Sequence, residues 1–412
     1  MKNEKTLKSG ARVIFVNEPS EKLSLISAWV NVGAREDIKG KEGLAHFFEH
    51  VLMKKTKMFP IYQDRLNFLA EKGIQFNAYT GSEYSYYYHL QRKEATSESL
   101  EVFVDGMFSS EFTEQDVREE AGAIIDEQAS RENSPEDQIA EVALENLFPM
   151  SSFRSVLGSK KSIRAISKKD IQDWYKRYYT LSNTVFVITG NFNQKKIEKE
   201  LEKLTAGVIK GKALKARKEK FKEPKAYSFV KKDISNSIIA VSFRMPQIKE
   251  VEKQVLTATL MSALAGSWIG RLNKKLRIEE NLTYWVSDYF DMYADVSTVL
   301  FRFSAENKNA EKAISLINQE LEKIKKDLNK GELENHKNSL TTSTLSDDTD
   351  ITERIWWYKN IAIHGRGATG EKFLKELKNI KPEKVMSLAK EIFKKENRSI
   401  TVFSKKDPKI SA

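Results

Sequence analysis

The chain has 412 residues, of which 40% are hydrophobic and 31% are charged; it contains no cysteine and carries a formal net charge of +11. This length and apolar content suffice for two domains of about 200 residues each. No apolar run reaches the 18 or so residues of a membrane span, the lysine-rich start lacks the apolar stretch of a signal peptide, and disulfides are excluded, so we expect a cytoplasmic protein without a membrane segment.

The predicted elements of the first half begin with two strands, RVIFV and LSLISAWVNV. Helices near residues 43–56 and 61–72 follow, and then the strand pair IQFNAYTGSEYSYYYHLQ and long helices from about 97 to 147. A strand in NTVFVITGNFN, residues 183–193, and one further helix end this half.

The second half repeats this order of elements. A strand at 237–244 leads into helices near 249–264 and 268–279, the strands TYWVSDYFDMY and STVLFRFSAE, helices from about 309 onward, and a closing strand, SITVFS. The similar order indicates a duplicated α+β unit. Strands that alternate apolar and polar residues, followed by paired helices, predict a largely antiparallel sheet with helices packed on one face in each of two domains.

A basic stretch separates the two halves. KGKALKARKEKFKEPK, residues 210–225, has eight basic and two acidic residues and so supplies +6 of the net charge of +11. Such a charge run is typical of a solvated linker, and it lacks the aromatic interleaving of a stacking platform, so we expect no nucleic-acid partner. The predicted domains are therefore residues 1–209 and residues 226–412.

Residues 43–56, GLAHFFEHVLMKKT, hold two of the five histidines, His46 and His50, with Glu49 between them. On a helix these three positions share one face. Two imidazoles at i and i+4 can bind one zinc ion, while the carboxylate before the second histidine lies beside the metal and can accept a proton from water. The pattern H-x-x-E-H is the inverse of the H-E-x-x-H zinc motif. The alternative is a half-buried helix whose histidines make only local hydrogen bonds, which the paired spacing disfavours.

A catalytic zinc needs a third protein ligand and one open position, and without cysteine this ligand must be His, Asp or Glu. The helix at residues 113–133 offers Glu120 and Glu127, two turns apart on a face that also carries Ala123 and Ile124. A carboxylate on an interior face needs a partner. Acidic helices are common, so spacing alone leaves Glu127 open between a metal ligand and a solvated face.

The segment GAREDIKGKEGLAHFFEHVLMKKT resembles the signature of the pitrilysin, or M16, family of zinc peptidases. The resemblance extends to the helix with two glutamates and implies that Glu127, 77 residues after His50, is the third ligand of one Zn²⁺ per chain. It also implies that Glu120 orients a ligand histidine and that Glu49 is the proton acceptor in peptide hydrolysis. The fold implied is the M16, or LuxS-metallohydrolase-like, fold.

Two further segments resemble substrate-binding parts of that family. GIQFNAYTGSEYSYYYHL is similar to an edge strand whose Asn-Ala step, here Asn77 and Ala78, lines the cleft. LRIEENLTY matches an arginine and a tyrosine seven residues apart, here Arg277 and Tyr284, which would contact substrate and the developing oxyanion. Taken singly, Arg277 could be a surface helix residue and Tyr284 a packed strand aromatic.

The resemblance also implies an assembly and a substrate class. Family members of this length form their chamber from two chains, so we expect a homodimer whose enclosed zinc sites cleave peptides or unfolded polypeptide segments. The alternative is an inactive or partner-dependent structural subunit of the same family. Such subunits typically lose a ligand or the base, whereas His46, Glu49, His50 and Glu127 are all present here.

Overall fold

The computed structural model of the protein, which describes residues 3–408 and 410, divides into two compact units. Unit 1 contains the chain up to residue 129 together with residues 154–215 and 347–365, and unit 2 contains the remainder. Each unit thus includes a segment from the other half of the sequence, which the predicted division at residues 210–225 does not anticipate. The described residues 210–225 form no helix or strand.

Unit 1 contains a six-stranded sheet. Its strands are β1 (Asn3–Thr6), β2 (Arg12–Asn17), β3 (Leu23–Val30), β4 (Gln75–Thr80), β5 (Ser85–Arg92) and β6 (Thr184–Gly190). They lie in the order β1-β2-β6-β3-β5-β4, and every neighbouring pair is antiparallel except the parallel pair β2–β6. Among the described residues, β4 pairs only with β5 and is therefore an edge strand.

Unit 2 contains a five-stranded sheet of the same design. Its strands are β7 (Tyr227–Lys231), β8 (Asn236–Pro246), β9 (Val286–Met292), β10 (Val296–Glu306) and β11 (Arg398–Ser404). The order is β7-β11-β8-β10-β9, with one parallel pair, β7–β11. The prediction of two α+β units with largely antiparallel sheets is confirmed.

The described residues contain fifteen α-helices. They are α1 (Leu44–Val51), α2 (Tyr62–Lys72), α3 (Thr96–Phe108), α4 (Glu114–Glu132), α5 (Pro135–Leu147), α6 (Lys160–Arg164), α7 (Lys168–Tyr178), α8 (Gln194–Thr205), α9 (Val251–Ala265), α10 (Ala310–Ile324), α11 (Lys330–Thr349), α12 (Ile351–Arg354), α13 (Lys359–His364), α14 (Gly370–Leu377) and α15 (Pro382–Ile392). In the part of the chain that the structure describes, no helix is both long and apolar enough to cross a membrane.

The core of unit 1 has two layers, one on each face of its sheet. On one face, fully buried aromatic side chains from α1, α3 and β6 pack together: Phe47, Phe48, Phe103 and Phe186. On the other face, Trp29 and Tyr86 of the sheet pack against Ile351, Ile355 and Tyr358. The helices predicted for one face are present, and residues 347–365 cover the second face because its apolar side chains also require burial.

A substitution at Ile355 tests whether this second layer stabilises the fold, because the Ile355 side chain is fully buried against the sheet of unit 1. Ile355→Ala should lower the free energy of unfolding by about 2–5 kcal/mol, the usual cost of a large-to-small core change. Urea unfolding followed by tryptophan fluorescence would measure it. The exposed Ile61 provides the matched control, since Ile61→Ala removes the same atoms from a solvated position. Equal effects of the two changes would contradict a core role for residues 347–365.

Two predicted helices differ from the structure. The helix predicted over 43–56 ends at Val51, because Met53 adopts a left-handed φ of 67° and its backbone N–H bonds to the Ser110 hydroxyl instead of continuing the helix. The helix predicted over 268–279 is an irregular segment followed by a wide π-helical turn over Asn273–Glu279.

Candidate metal centre

The start of α1 is held by a buried carboxylate. Asp37 accepts hydrogen bonds from the backbone N–H groups of Gly43 and Ala45 at 2.7 and 2.8 Å, which satisfies donors that a helix N-terminus leaves open. Gly43 has a φ of +92°, and a Cβ there would lie 2.7 Å from the Leu157 carbonyl oxygen. These contacts fix where α1 begins and therefore where its side chains project.

Three side chains of unit 1 converge at α1. The rings of His46 and His50 lie 4.7 Å apart between centroids. Glu127 comes from α4, and its Oε2 lies 3.7 Å from His46 Nε2 and 3.3 Å from His50 Nε2. Among the described residues, this is the only group of at least three His, Asp or Glu side chains whose candidate ligand atoms all lie within 4.8 Å of one another.

This donor set fits a zinc ion. Two imidazole nitrogens and one carboxylate oxygen are a common ligand set of catalytic zinc sites, which keep a fourth position open. Zinc–ligand bonds of about 2.0–2.2 Å in tetrahedral geometry would place neighbouring ligand atoms about 3.4 Å apart. The two distances from the Glu127 oxygen, 3.3 and 3.7 Å, are close to that spacing.

Glu120 lies behind His50. Its Oε2 is 3.1 Å from His50 Nδ1, which indicates a hydrogen bond that leaves Nε2 directed at Glu127, and its Oε1 accepts from Lys54. Burial would raise the pKa of Glu120, but the hydrogen bonds from His50 and Lys54 bring it below its usual value. An ionised Glu120 can therefore hold the His50 ring in orientation, as partners of metal-bound histidines commonly do.

Glu49 is not one of the three converging side chains, and it accepts a hydrogen bond from the Thr80 hydroxyl of β4. Burial raises the pKa of Glu49 to about 7, although the Thr80 hydrogen bond acts in the opposite direction. A carboxylate with a pKa near neutrality is matched to proton transfer, because it can both accept and release a proton. Glu49, the predicted base, thus lies beside the group formed by His46, His50 and Glu127 and is not part of it.

Asn77 and Ala78 lie on β4, at the open edge of the sheet. Asn77 is exposed, and its side-chain oxygen accepts from the Ala78 N–H at 2.9 Å. Because side chains alternate along a strand, Ala78 and Thr80 share the face that carries α1. Their predicted role in substrate binding remains a prediction.

Arg277 and Tyr284 belong to unit 2, where the structure brings them together. The Arg277 guanidinium lies 4.5 Å from the centroid of the Tyr284 ring, and 75% of Tyr284 is exposed. Tyr284 is therefore an open aromatic side chain and not a packed one. Contact of these two residues with substrate remains a prediction.

Sequence reasoning missed Lys54, Thr80 and Asp37. Lys54 follows His50 by four residues and could have been noted as a continuation of the 46–50 spacing. Thr80 lies two positions after Ala78 and therefore on the same face of the strand, but its meeting with Glu49 depends on packing. No local signal marks Asp37 as the residue that holds the start of α1.

The pKa values in this cluster make zinc binding pH-dependent. Burial would lower the pKa of His50, but the hydrogen bond to Glu120 and the charges of Glu49, Glu120 and Glu127 raise it above its usual value. Protons on His50 and Glu49 oppose metal binding, so zinc affinity should rise with pH and level off above the pKa of each group, which for Glu49 is about 7. Calorimetric titration in buffers of different ionisation enthalpy would count these protons. Glu49→Gln should reduce that count, and a pH-independent affinity would contradict the prediction.

Two family models match this chain. "Insulinase (Peptidase family M16)" matches residues 12–157, and "Peptidase M16 inactive domain" matches residues 165–340. His46, His50 and Glu127 all lie within the first range. The model described as inactive covers none of them.

The chain is also similar to individual proteins along almost its whole length. It is 25% identical over 398 residues to an uncharacterized zinc protease of Rickettsia bellii, with 95% of both chains covered. It is 26% identical over 393 residues to the uncharacterized zinc protease YmxG of Bacillus subtilis, covering 94% of this chain and 95% of that one. A solved protease structure from Helicobacter pylori has a TM-score of 0.90 at 22% identity, covering 98% and 99% of the two chains, which shows a shared fold.

Proposed function

This chain belongs to peptidase family M16, and from that premise we propose that it is a zinc-dependent endopeptidase that cleaves peptides or unfolded polypeptide segments. One observation carries the proposal: the Nε2 atoms of His46 and His50 face the same oxygen of Glu127, with Glu49 beside them. Relatives named zinc proteases support both the metal and the reaction class.

His46, His50 and Glu127 would hold the metal. A bound zinc ion supplies Lewis-acid chemistry, lowering the pKa of water and polarising a carbonyl group. Glu49 accepts a proton at its carboxylate and returns it to the leaving amine, a role for which its pKa of about 7 is suited. Glu120 and Lys54 keep the His50 ring oriented through the Nδ1 hydrogen bond.

The substrate would bind as an extended strand along β4. An edge strand presents unpaired backbone N–H and C=O groups, and a peptide that adds to it gains main-chain hydrogen bonds that are largely independent of sequence. Asn77 and Ala78 lie on this strand, and Thr80 connects it to Glu49. Arg277 and Tyr284 would supply a hydrogen-bond donor to substrate and to the developing oxyanion.

The proposed functional form is a homodimer whose two chains together form the chamber that encloses the zinc sites. One chain carries both the metal cluster and the Arg277–Tyr284 pair, so two identical copies need no further subunit. Light scattering coupled to size-exclusion chromatography should report twice the chain mass of 47.3 kDa. A monomer with full activity would reject this part of the proposal.

The alternative is an inactive structural subunit. The description "inactive domain" applies to a model that covers residues 165–340, outside the metal cluster. A scaffold subunit needs neither a buried base nor an oriented histidine. Here Glu49, the proposed base, accepts a hydrogen bond from Thr80, and Glu120 contacts the His50 ring that it would orient. The two candidates differ in one measurable property, which is metal-dependent cleavage.

The deciding experiment measures zinc content together with cleavage of a mixed peptide library, with and without a chelator. We expect about one zinc ion per chain, cleavage of several peptides, loss of cleavage with the chelator and recovery when zinc is added back. Mass spectrometry of the products would place the cut bonds inside the peptides. Bound zinc without any cleavage would favour the structural subunit.

A further inference from the structure

A buried arginine of unit 1 has no part in the proposed mechanism. Arg65 lies on α2, and only 1% of it is exposed. Burial lowers the pKa of its guanidinium to about 10, while the charge of Asp105 acts in the opposite direction, so Arg65 stays positively charged at neutral pH. Removing a charge from water is strongly unfavourable unless an opposite charge lies beside it. Arg65 therefore requires a negative partner.

The described part of the chain does not supply that partner. Within residues 3–408 and 410, no carboxylate forms an ion pair with Arg65. Asp105, whose charge acts on Arg65 from a greater distance, accepts a hydrogen bond from the Met58 backbone N–H at 3.2 Å. The Arg65 Nε is buried and has no hydrogen-bond partner among the described residues. A bound ion is one explanation for a buried donor of this kind.

The groups that do contact the guanidinium are neutral. Arg65 Nη2 lies 3.2 Å from His89 Nε2 and 3.4 Å from Met53 Sδ. The centroid of the Phe76 ring lies 5.3 Å from the guanidinium carbon. Burial, together with the charge of Arg65, holds the pKa of His89 well below its usual value, so this ring is uncharged. None of these neighbours cancels the positive charge.

A chain of buried hydrogen bonds fixes His89 as an acceptor. Its Nδ1 lies 3.1 Å from the Ser99 hydroxyl, which donates to Gln91 Oε1 at 2.8 Å, and Gln91 Nε2 donates to the Ser24 hydroxyl at 2.8 Å. Because the Ser99 proton is engaged with Gln91, the ring proton of His89 is on Nδ1, and Nε2 accepts from Arg65. The Nη2 group is thus committed to His89, and the Nε side of the guanidinium remains available to a ligand.

We propose that Arg65 binds a small monovalent anion of the halide class, such as chloride, at the Nε side of its guanidinium. A guanidinium is weakly hydrated, so it pairs best with anions that also give up water readily, as chloride and bromide do and fluoride does not. Phosphate and sulfate need more donors than this edge offers, and their second negative charge would be buried without a partner. The inference does not depend on the proposed peptidase function.

The proposed anion would stabilise a junction of three elements. Arg65 belongs to α2, His89 to β5, and Met53 to the segment that follows α1, three residues after His50. An ion that neutralises Arg65 removes the cost of burying its charge at this junction. Because the unfolded chain has no such site, occupancy should be measurable as resistance to unfolding.

The first measurement is the chlorine NMR line width of sodium chloride solutions that contain the full-length, zinc-loaded chain. Exchange of chloride with a bound site broadens the line, and the broadening should saturate as chloride is added. Arg65→Met, which removes the charge, should abolish this saturable part. Arg92→Met is the matched control, because it makes the same change at an exposed position of unit 1, and it should retain the effect. Chloride bound elsewhere, zinc included, contributes equally to all three proteins.

The second measurement is the Tm in sodium fluoride, chloride and bromide at equal ionic strength. Salts that are excluded from the protein surface stabilise without binding, and among these three fluoride does so most. Binding at Arg65 should instead raise the Tm in chloride and bromide by about 2–4 °C over fluoride at about 0.5 M salt. In Arg65→Met this difference should vanish. In fluoride, Arg65→Met should unfold at a higher temperature than the parent chain, because a buried charge without a partner is gone.

Equal responses to chloride in the parent chain and in Arg65→Met would overturn the proposed site. If Arg65→Met does not fold, Asp105→Asn decides the question. This change removes the negative charge that acts on Arg65, while its amide oxygen can still accept from Met58, so chloride should bind severalfold more tightly. Unchanged or weaker chloride binding in Asp105→Asn would overturn the site as well. Peptide cleavage, which tests the proposed function, is judged separately.

Discussion

Glu49→Gln should lower peptide turnover by a factor of about 10² to 10⁴ while the chain keeps its zinc. Glutamine has nearly the same shape but cannot accept a proton. The side chain points to Thr80 and lies outside the group formed by His46, His50 and Glu127, so its replacement removes no metal ligand. Single-turnover kinetics and metal analysis of the same preparation would measure both effects.

Glu94→Gln is the matched control, because it makes the same chemical change at an exposed position of unit 1. Thr80→Val gives an intermediate case, since it removes only the hydrogen bond to Glu49, and we expect a loss of about tenfold. Loss of zinc together with activity in Glu49→Gln would make Glu49 a ligand and contradict its assignment as the base.

The second prediction with a large expected effect concerns the zinc affinity of variants at Glu120 and Glu127, the two glutamates of α4 predicted to act at the metal site. Glu120→Gln should weaken zinc binding about 10- to 100-fold, the usual cost of removing a partner of a ligand histidine. Glu127→Gln should weaken it further, because the Glu127 carboxylate faces both ring nitrogens whereas Glu120 reaches only the Nδ1 side of His50. Competition with a chromogenic chelator would give both affinities.

Asp126→Asn controls for the lost charge, since Asp126 is an exposed neighbour of Glu127 on the same helix. It should leave zinc affinity nearly unchanged. A larger loss in Glu120→Gln than in Glu127→Gln would exchange the ligand and the orienting residue. The ranking of the two variants is therefore more informative than the size of either effect.

Much of the fold could be predicted from local patterns. The strand pair at residues 75–92 and the closing strand at 398–404 coincide closely with alternating apolar segments, because a half-buried strand needs that alternation. The helix ending at Val51 and the irregular segment before Asn273 could not be predicted this way. Their conformations depend on Ser110 in the first case and on Ala265 and Val286 in the second.

The sequence by itself determined that His46, Glu49 and His50 share a face of one helix, because three- and four-residue spacing imposes this whatever surrounds the helix. It also determined the duplicated order of strands and helices. Only the tertiary structure decided which residues distant in the sequence pack together in unit 1. Glu127 comes from another helix, Thr80 from an edge strand, and residues 347–365 cover a sheet built from the first half of the chain. Such long-range contacts depend on how buried surfaces pack against one another, and the local periodicity of the sequence does not predict that packing.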